Sequence, residues 1–178
     1  RCAHAAFAGR ADNEERLARI DPVAVARLFP CCPWSPHVVD IDHEDRRELF
    51  MRMVFNAMVT NNDDHPRNHA LLRTPAGWRL SPAYDIVPVP LISQECRDLA
   101  LEAGSHGRVA SLYNLLSDCG AFGLSPNEAR VLVERMLDVV QGWREFFARH
   151  GVEARSIEML EQAILPGCFF RTEPVGQI

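Results

Sequence analysis

The sequence predicts a mainly α-helical domain with one small β-hairpin. Apolar residues recur every three or four positions from about residue 43 to residue 60, which indicates a long helix with one buried face. Two short apolar runs, residues 70–73 and 78–80, flank a turn at 74–77 that contains Pro and Gly, a pattern typical of a hairpin. With 178 residues, the chain is long enough for one domain or one large lobe.

The chain divides into a poorly assigned N-terminal segment, residues 1–42, and a folded lobe, residues 43–178. The first helix is expected to begin at Asp42 or His43 and to end near Thr60. Further elements are expected as follows: a short strand at 98–103, helices at 108–119, 125–150 and 155–165, and a loosely held tail at 169–178. The third helix has the clearest start, because Ser, Pro and Glu follow one another with the spacing of a capped first turn.

The composition argues against several classes of function. Acidic residues outnumber basic ones by 24 to 19, and the net charge of −5 argues against strong direct binding of nucleic acid. No apolar run approaches the roughly 20 residues that a membrane span requires, so we expect no membrane association. The six cysteines form no Cys-x-x-Cys pair, and we find no signal peptide, so we expect reduced thiols in a cytoplasmic protein.

A polar loop and a later acid carry the candidate chemistry. Asp63 and Asn68 lie five residues apart after the first helix, and Asp85 follows the hairpin. Because a hairpin folds the chain back, we expect Asp85 to return to the neighbourhood of the loop. Phosphoryl transfer requires such a set: one carboxylate orients the attacking hydroxyl and accepts its proton. An amide oxygen and a second carboxylate then hold Mg²⁺ on the nucleotide phosphates.

This region resembles the C-terminal lobe of HipA-type serine/threonine kinases, the toxins of bacterial toxin–antitoxin pairs. The resemblance extends from about Asp45 to about Leu160 and is strongest over residues 50–90. It rests on the following stretches: Met53-Val54-Phe55-Asn56, Thr60-Asn61-Asn62-Asp63-Asp64-His65-Pro66-Arg67-Asn68-His69, and Gly77-Trp78-Arg79-Leu80-Ser81-Pro82-Ala83-Tyr84-Asp85. It implies the helical C-terminal lobe of a protein-kinase-like HipA fold.

The resemblance also implies a role for each candidate residue. Asp63 matches the catalytic aspartate of the family, and Asn68 and Asp85 match its two metal-holding residues. Arg67 occupies a position where the family often has Lys or Arg, which implies a phosphate contact and makes it a third cofactor-binding residue beside Asn68 and Asp85. The implied cofactors are ATP and Mg²⁺. His65 matches a loop histidine for which we expect a structural role.

The implied partners are a HipB-like helix-turn-helix antitoxin and a protein substrate, for example an aminoacyl-tRNA synthetase. Neither follows from the residues themselves. A kinase also needs a nucleotide-covering lobe with a lysine on a strand. The chain has no lysine among its 19 basic residues, so we expect that lobe to lie outside this sequence.

Three other interpretations stay open. A small-molecule phosphotransferase uses a similar set of Asp, Asn and Asp. An inactive remnant, or a module that only binds a partner, would fit a chain without the lysine lobe. A metal hydrolase built on Asp63, Asp64, His65 and His69 would account for the loop, but not for the hairpin and Asp85.

Overall fold

The computed structural model describes residues 42–75, 77–90 and 98–172. Over these residues the protein is mainly helical, with one two-stranded antiparallel hairpin. The predicted fold class is therefore confirmed. All but the last residue of the predicted N-terminal segment lies outside the described residues, so the division of the chain into two parts stays a prediction.

The first helix, α1, extends over His43–Met58 and supports the rest of the structure. It begins as predicted, because Oδ1 of Asp42 accepts a hydrogen bond from the backbone N–H of Glu44 at 2.6 Å. Thr60 has a left-handed φ of 53°, which prevents the helix from continuing. The predicted apolar face is buried, and it consists of Leu49, Phe50, Met53, Val54, Ala57 and Met58.

The hairpin consists of β1, Leu71–Thr74, and β2, Gly77–Leu80. It confirms the predicted pair of strands and packs across the start of α1. The buried carboxylate of Asp45 accepts hydrogen bonds from Nε of Arg79 and from the backbone N–H of Leu80, each at 3.0 Å. Two effects of Asp45 raise the pKa of Arg79: the hydrogen bond, which is the larger, and the negative charge of the carboxylate. A buried acid therefore fixes the hairpin to the helix.

The chain between residues 98 and 119 differs from the predicted strand and long helix. The helix α2 covers only Leu112–Ser117. It starts late because Oγ of Ser111 accepts a backbone N–H from its first turn. The residues before it pair across a turn, and Asp98 forms an isolated antiparallel bridge with Val109. The predicted strand at 98–103 is only an isolated bridge, and the predicted helix at 108–119 is shorter than expected.

The long helix predicted to reach residue 150 is divided into α3, Pro126–Val140, and α4, Trp143–Arg149. Its predicted start is confirmed, because Ser125 and Glu128 form a reciprocal capping box. The break falls at Gly142, a residue with low helix propensity. A change of direction there lets the first residue of α4 pack into the core.

The C-terminal part is more closely packed than predicted. The last α-helix, α5, covers only Ala154–Met159, and Leu165 has a left-handed φ of 51°. A 3₁₀ turn at Gly167–Phe170 then buries Phe169 completely. The prediction of a loosely held tail from residue 169 was wrong up to residue 172, and the rest of that tail lies outside the described residues.

The core lies behind α1. The ring of Phe50 meets the ring of Phe122 edge to face, with centroids 5.5 Å apart. The buried cluster continues through Leu115, Leu132 and Phe169 from the later helices and turns. The end of α1 therefore leaves the core from a closely packed base, and the candidate site is built on that end.

Candidate active site

The candidate site begins where α1 ends, and that end is tied to a distant part of the chain. Oγ1 of Thr60 donates a hydrogen bond to the carbonyl of Ala163 at 2.6 Å. The backbone N–H of Leu165 donates to the carbonyl of Met58, also at 2.6 Å. These two bonds connect residues more than one hundred positions apart in the sequence. The loop that follows therefore starts from a fixed point.

Asp63 presents its carboxylate to solvent. Its side chain is 80 % exposed, and Oδ1 lies 2.7 Å from Nε2 of His65, which is itself 44 % exposed. The backbone N–H of His65 also donates to the carbonyl of Asp63 at 2.8 Å. This local turn directs the acid outward, where a hydroxyl group could reach it. His65 thus contacts the predicted catalytic residue itself, and its expected structural role stays a prediction.

Asn68 returns to Asp63 through its side chain. A 3₁₀ turn at Pro66–Asn68 bends the loop, and Nδ2 of Asn68 then donates to the backbone carbonyl of Asp63 at 3.1 Å. The backbone N–H of Asn68 donates to the carbonyl of His65 at 2.8 Å. Because Nδ2 is used in this way, Oδ1 of Asn68 is left as the oxygen that could bind a cation.

The chain after the hairpin comes back to the same loop. The hydroxyl of Tyr84 donates to the carbonyl of Arg67 at 2.5 Å, and Nδ2 of Asn61 donates to the carbonyl of Asp85 at 3.4 Å. Asp85 has a left-handed φ of 57°, a strained backbone conformation for a residue other than glycine. The segment after the hairpin thus returns to the loop, as predicted from the sequence. The metal-binding role of Asp85 stays a prediction.

Tyr84 is affected by its surroundings at this junction. Partial burial is the main reason why the pKa of its hydroxyl is raised. The positive charge of Arg52 lowers this pKa, and the negative charge of Asp85 raises it further. The phenol therefore stays protonated at neutral pH and keeps its hydrogen bond to the loop. The side chain of Arg67 itself is exposed, beside this junction, as a phosphate contact would require.

A second acid and a second histidine lie beneath the loop. Asp64 and His69 are each 6 % exposed, and Nε2 of His69 lies 3.0 Å from Oδ1 of Asp64. The two atoms are in electrostatic contact but are not aligned as a regular hydrogen bond, and in the described part of the chain Nδ1 of His69 meets no hydrogen-bonding partner. The sequence placed both residues only in the hydrolase alternative.

Arg52 supports the returning segment from α1. It is 7 % exposed, and it donates to the carbonyl of Ser81 at 2.5 Å and to Oε1 of Glu48 at 2.9 Å. Sequence reasoning did not identify Arg52, Asn61 or Tyr84 as supports. The available signal for Arg52 was its position within the apolar face of α1, where a charged residue requires a partner.

The donor atoms fit magnesium better than zinc. Oδ1 of Asn68 and the carboxylate of Asp85 are hard oxygen ligands, and Mg²⁺ is commonly held by one or two such groups together with phosphate oxygens. Asp85 is exposed and forms no ion pair with another described residue. Over the same residues, no three His, Cys, Asp or Glu side chains are grouped as they would be to hold a metal ion.

Comparison with known proteins gives the family. A family model described as the HipA-like C-terminal domain matches residues 34–143, which is more than half of the 178 residues. No curated protein matches the chain. Among the helices of the described residues, none has the length and apolar character needed to cross a membrane. On the strength of the family match and the mainly helical fold, this chain belongs to the HipA-like C-terminal domain family.

Proposed function

We propose that the chain is the catalytic lobe of a serine/threonine protein kinase of the HipA toxin type. The observation that carries the proposal is the pairing of Asn68 with Asp63 across the loop, at 3.1 Å between Nδ2 and the carbonyl oxygen. Asp85 follows Tyr84, whose hydroxyl is bonded to the same loop. These contacts support a site in which Asp63 would be the proton acceptor and Asn68 and Asp85 the oxygen ligands.

Asp63 would act on the substrate hydroxyl. Its exposed carboxylate orients the hydroxyl group and takes its proton as the oxygen bonds to the γ-phosphorus of ATP. The bond between that phosphorus and the β–γ bridging oxygen breaks, and ADP leaves with the electron pair. Most of the rate enhancement would come from orientation and charge stabilisation, since phosphoryl transfer leaves little covalent work for the protein.

Asn68 and Asp85 would hold Mg²⁺, which neutralises charge on the phosphate oxygens when it is bound. The bond from Nδ2 of Asn68 to the carbonyl of Asp63 leaves Oδ1 of the amide for the cation, and the carboxylate of Asp85 would supply the second oxygen ligand. Arg67, which is exposed and directly precedes Asn68 in the sequence, would contact a phosphate oxygen. A nucleotide-covering lobe from outside this sequence would complete the ATP site.

The proposed partners follow from the family. They are a helix-turn-helix antitoxin that neutralises the kinase and a protein substrate, for which an aminoacyl-tRNA synthetase is our candidate. Because the chain has a net charge of −5, we assign DNA binding to the antitoxin and not to this lobe. We place the reaction in the cytoplasm, where ATP and these partners would be available.

The test is a calorimetric titration of the chain with Mg-ATP, beside the Asp85→Asn variant. We expect measurable binding to the chain and an affinity at least about tenfold lower in Asp85→Asn, because replacing a group behind a metal ligand already causes losses of that size. Asp138→Asn, an exposed acid on α3, is the matched control and should bind as the unchanged chain does.

Two outcomes would redirect the proposal. If the chain by itself binds no Mg-ATP, the proposed function fails for this chain alone. It is then either a partial kinase that needs the nucleotide-covering lobe, or an inactive remnant or partner-binding module. If it binds Mg-ATP and phosphorylates an aminoglycoside or another small alcohol in preference to protein acceptors, it is a small-molecule phosphotransferase. Equal binding by the chain and Asp85→Asn would remove Asp85 from the metal site.

A further inference from the structure

The buried pair Asp64 and His69 brackets the candidate catalytic loop. Asp64 directly follows Asp63, and His69 directly follows Asn68. The two buried side chains meet with 3.0 Å between Nε2 and Oδ1, while Asp63 is 80 % exposed on the other side of the same loop. Each member of the pair is thus one peptide bond away from a residue with a proposed role in the reaction.

We propose that Asp64 and His69 are positioning residues that hold Asp63 and Asn68 at their working separation. This inference rests on the proposed function for its catalytic consequence, but its structural part does not. The pair closes the loop from beneath, and the bond from Nδ2 of Asn68 to the carbonyl of Asp63 closes it from above. Two independent connections therefore join the start and the end of one short loop.

Burial distinguishes this pair from the other acid and histidine of the loop. The contact of Asp63 with His65 is exposed to solvent, so either side chain can exchange it for water at little cost. The contact of Asp64 with His69 is shielded from solvent, so neither side chain can leave without stranding the other away from water. The buried pair, together with the bond of Asn68 to the carbonyl of Asp63, therefore fixes the backbone on which the candidate reactive groups are carried.

A small displacement of the loop would be enough to slow transfer. A shift of about 1 Å between reacting groups can lower a rate by about 100-fold, because orientation supplies much of the catalysis. If the pair were lost, Asp63 and Asn68 would keep their chemical groups but lose their fixed separation. The expected signature is a fall in kcat together with a weaker dependence on Mg²⁺, without a matching loss of folded protein.

The central variant is the double change Asp64→Leu with His69→Leu. Removing both buried polar groups avoids the stranded partner that a single change would create, so this variant is expected to fold. His69→Gln is the conservative variant, because its amide keeps a polar group that can contact Asp64. Ser125→Ala, which weakens the cap of α3 far from the loop in sequence, is the control for a general loss of stability.

Two readouts keep the inference separate from the proposed function. The first is the side-chain amide signal of Asn68 in ¹⁵N-labelled chain, which reports its bond to Asp63 without any nucleotide. The second is phosphotransfer from labelled ATP to a generic protein acceptor, with Mg²⁺ titrated. We expect the double variant to move the amide signal toward that of a free amide and to lower kcat about 100-fold, whereas His69→Gln should retain most of both.

The results decide the inference in every case. An unchanged Asn68 amide signal in the double variant overturns the positioning role, whatever the activity. If the unchanged chain neither binds Mg-ATP nor transfers phosphate, the proposed function fails and the amide signal alone decides whether the pair positions the loop. If the double variant does not fold, Asp64→Ala replaces it, because it removes the contact with Nε2 of His69, and an amide signal that does not move in that variant contradicts the inference.

Discussion

The loop of the candidate site and the helical region behind it are stabilised in different ways. Buried polar contacts hold the loop, among them the pair of Asp64 with His69 and the bond of Asn61 to the carbonyl of Asp85. The helical region depends on apolar packing around Phe50 and Phe122. A change in the loop should therefore alter chemistry more than stability, and a change in the core should do the reverse.

The largest expected effect on chemistry is that of Asp63→Asn. Loss of a general base typically costs about 10²- to 10⁴-fold, so phosphotransfer should fall by that factor, while Tm stays close to that of the unchanged chain because the side chain is 80 % exposed. The measurements are transfer from labelled ATP and thermal unfolding by circular dichroism. A drop in Tm as large as that of a core variant would show that Asp63 supports the fold.

The largest expected effect on stability is that of Phe122→Ala. Its side chain is completely buried against Phe50, so the free energy of unfolding should fall by about 3–5 kcal/mol. Urea denaturation measures this change. Transfer per folded molecule should stay near that of the unchanged chain, and a large loss of transfer in the folded fraction would mean that core and loop are coupled more closely than the contacts suggest.

A smaller effect is expected from Ser125→Ala at the start of α3. The serine accepts the backbone N–H of Glu128 and belongs to a capping box, so its loss should lower the free energy of unfolding by about 1 kcal/mol. Urea denaturation beside Phe122→Ala places the two losses on one scale. A change in Mg-ATP affinity in this variant would contradict the separation between the helical region and the loop.

The smallest effect concerns the pH dependence of stability. Hydrogen bonds from the hydroxyl and then the backbone N–H of Ser125 lower the pKa of Glu128 from its ordinary value of 4.5. A lowered pKa in the folded state means that the unfolded state takes up the proton first, so this stabilisation is present above pH 4.5 and is lost as the pH falls through the lowered pKa.

Glu128→Gln tests this prediction, because glutamine can fill the same place in the capping box but cannot titrate. Thermal unfolding from about pH 6 to about pH 3 should show a slightly smaller loss of Tm in the variant than in the unchanged chain. If Tm falls equally in the two proteins as the pH is lowered, the carboxylate of Glu128 contributes nothing to the pH dependence.

Much of the local structure could be predicted from the sequence. The start of α1 at Asp42, the hairpin and the capping box of α3 all depend on residues close together in the chain, so their signals are readable without the fold. The spacing of Asp63, Asn68 and Asp85 can likewise be seen in the sequence alone, and it was enough to suggest phosphoryl transfer.

The errors arose where distant contacts override local preference. The apolar periodicity continues across Gly142, so a single helix was predicted, although the helix breaks there and Trp143, the first residue of α4, is buried in the core. Phe169 lies in a segment with turn-like composition, yet it is completely buried because α1 and α2 leave a place for it. The burial of Phe169 is not encoded in its neighbouring residues, whereas the break at Gly142 had a local signal in the low helix propensity of glycine.

The sequence by itself determined which groups the candidate site contains, because a motif specifies side chains and their spacing. The tertiary structure decided what each group can do. Asp63 and Asp64 are adjacent and chemically identical, yet one is exposed beside His65 and the other is buried against His69. Burial depends on which distant residues cover a side chain, and a linear pattern cannot supply that information.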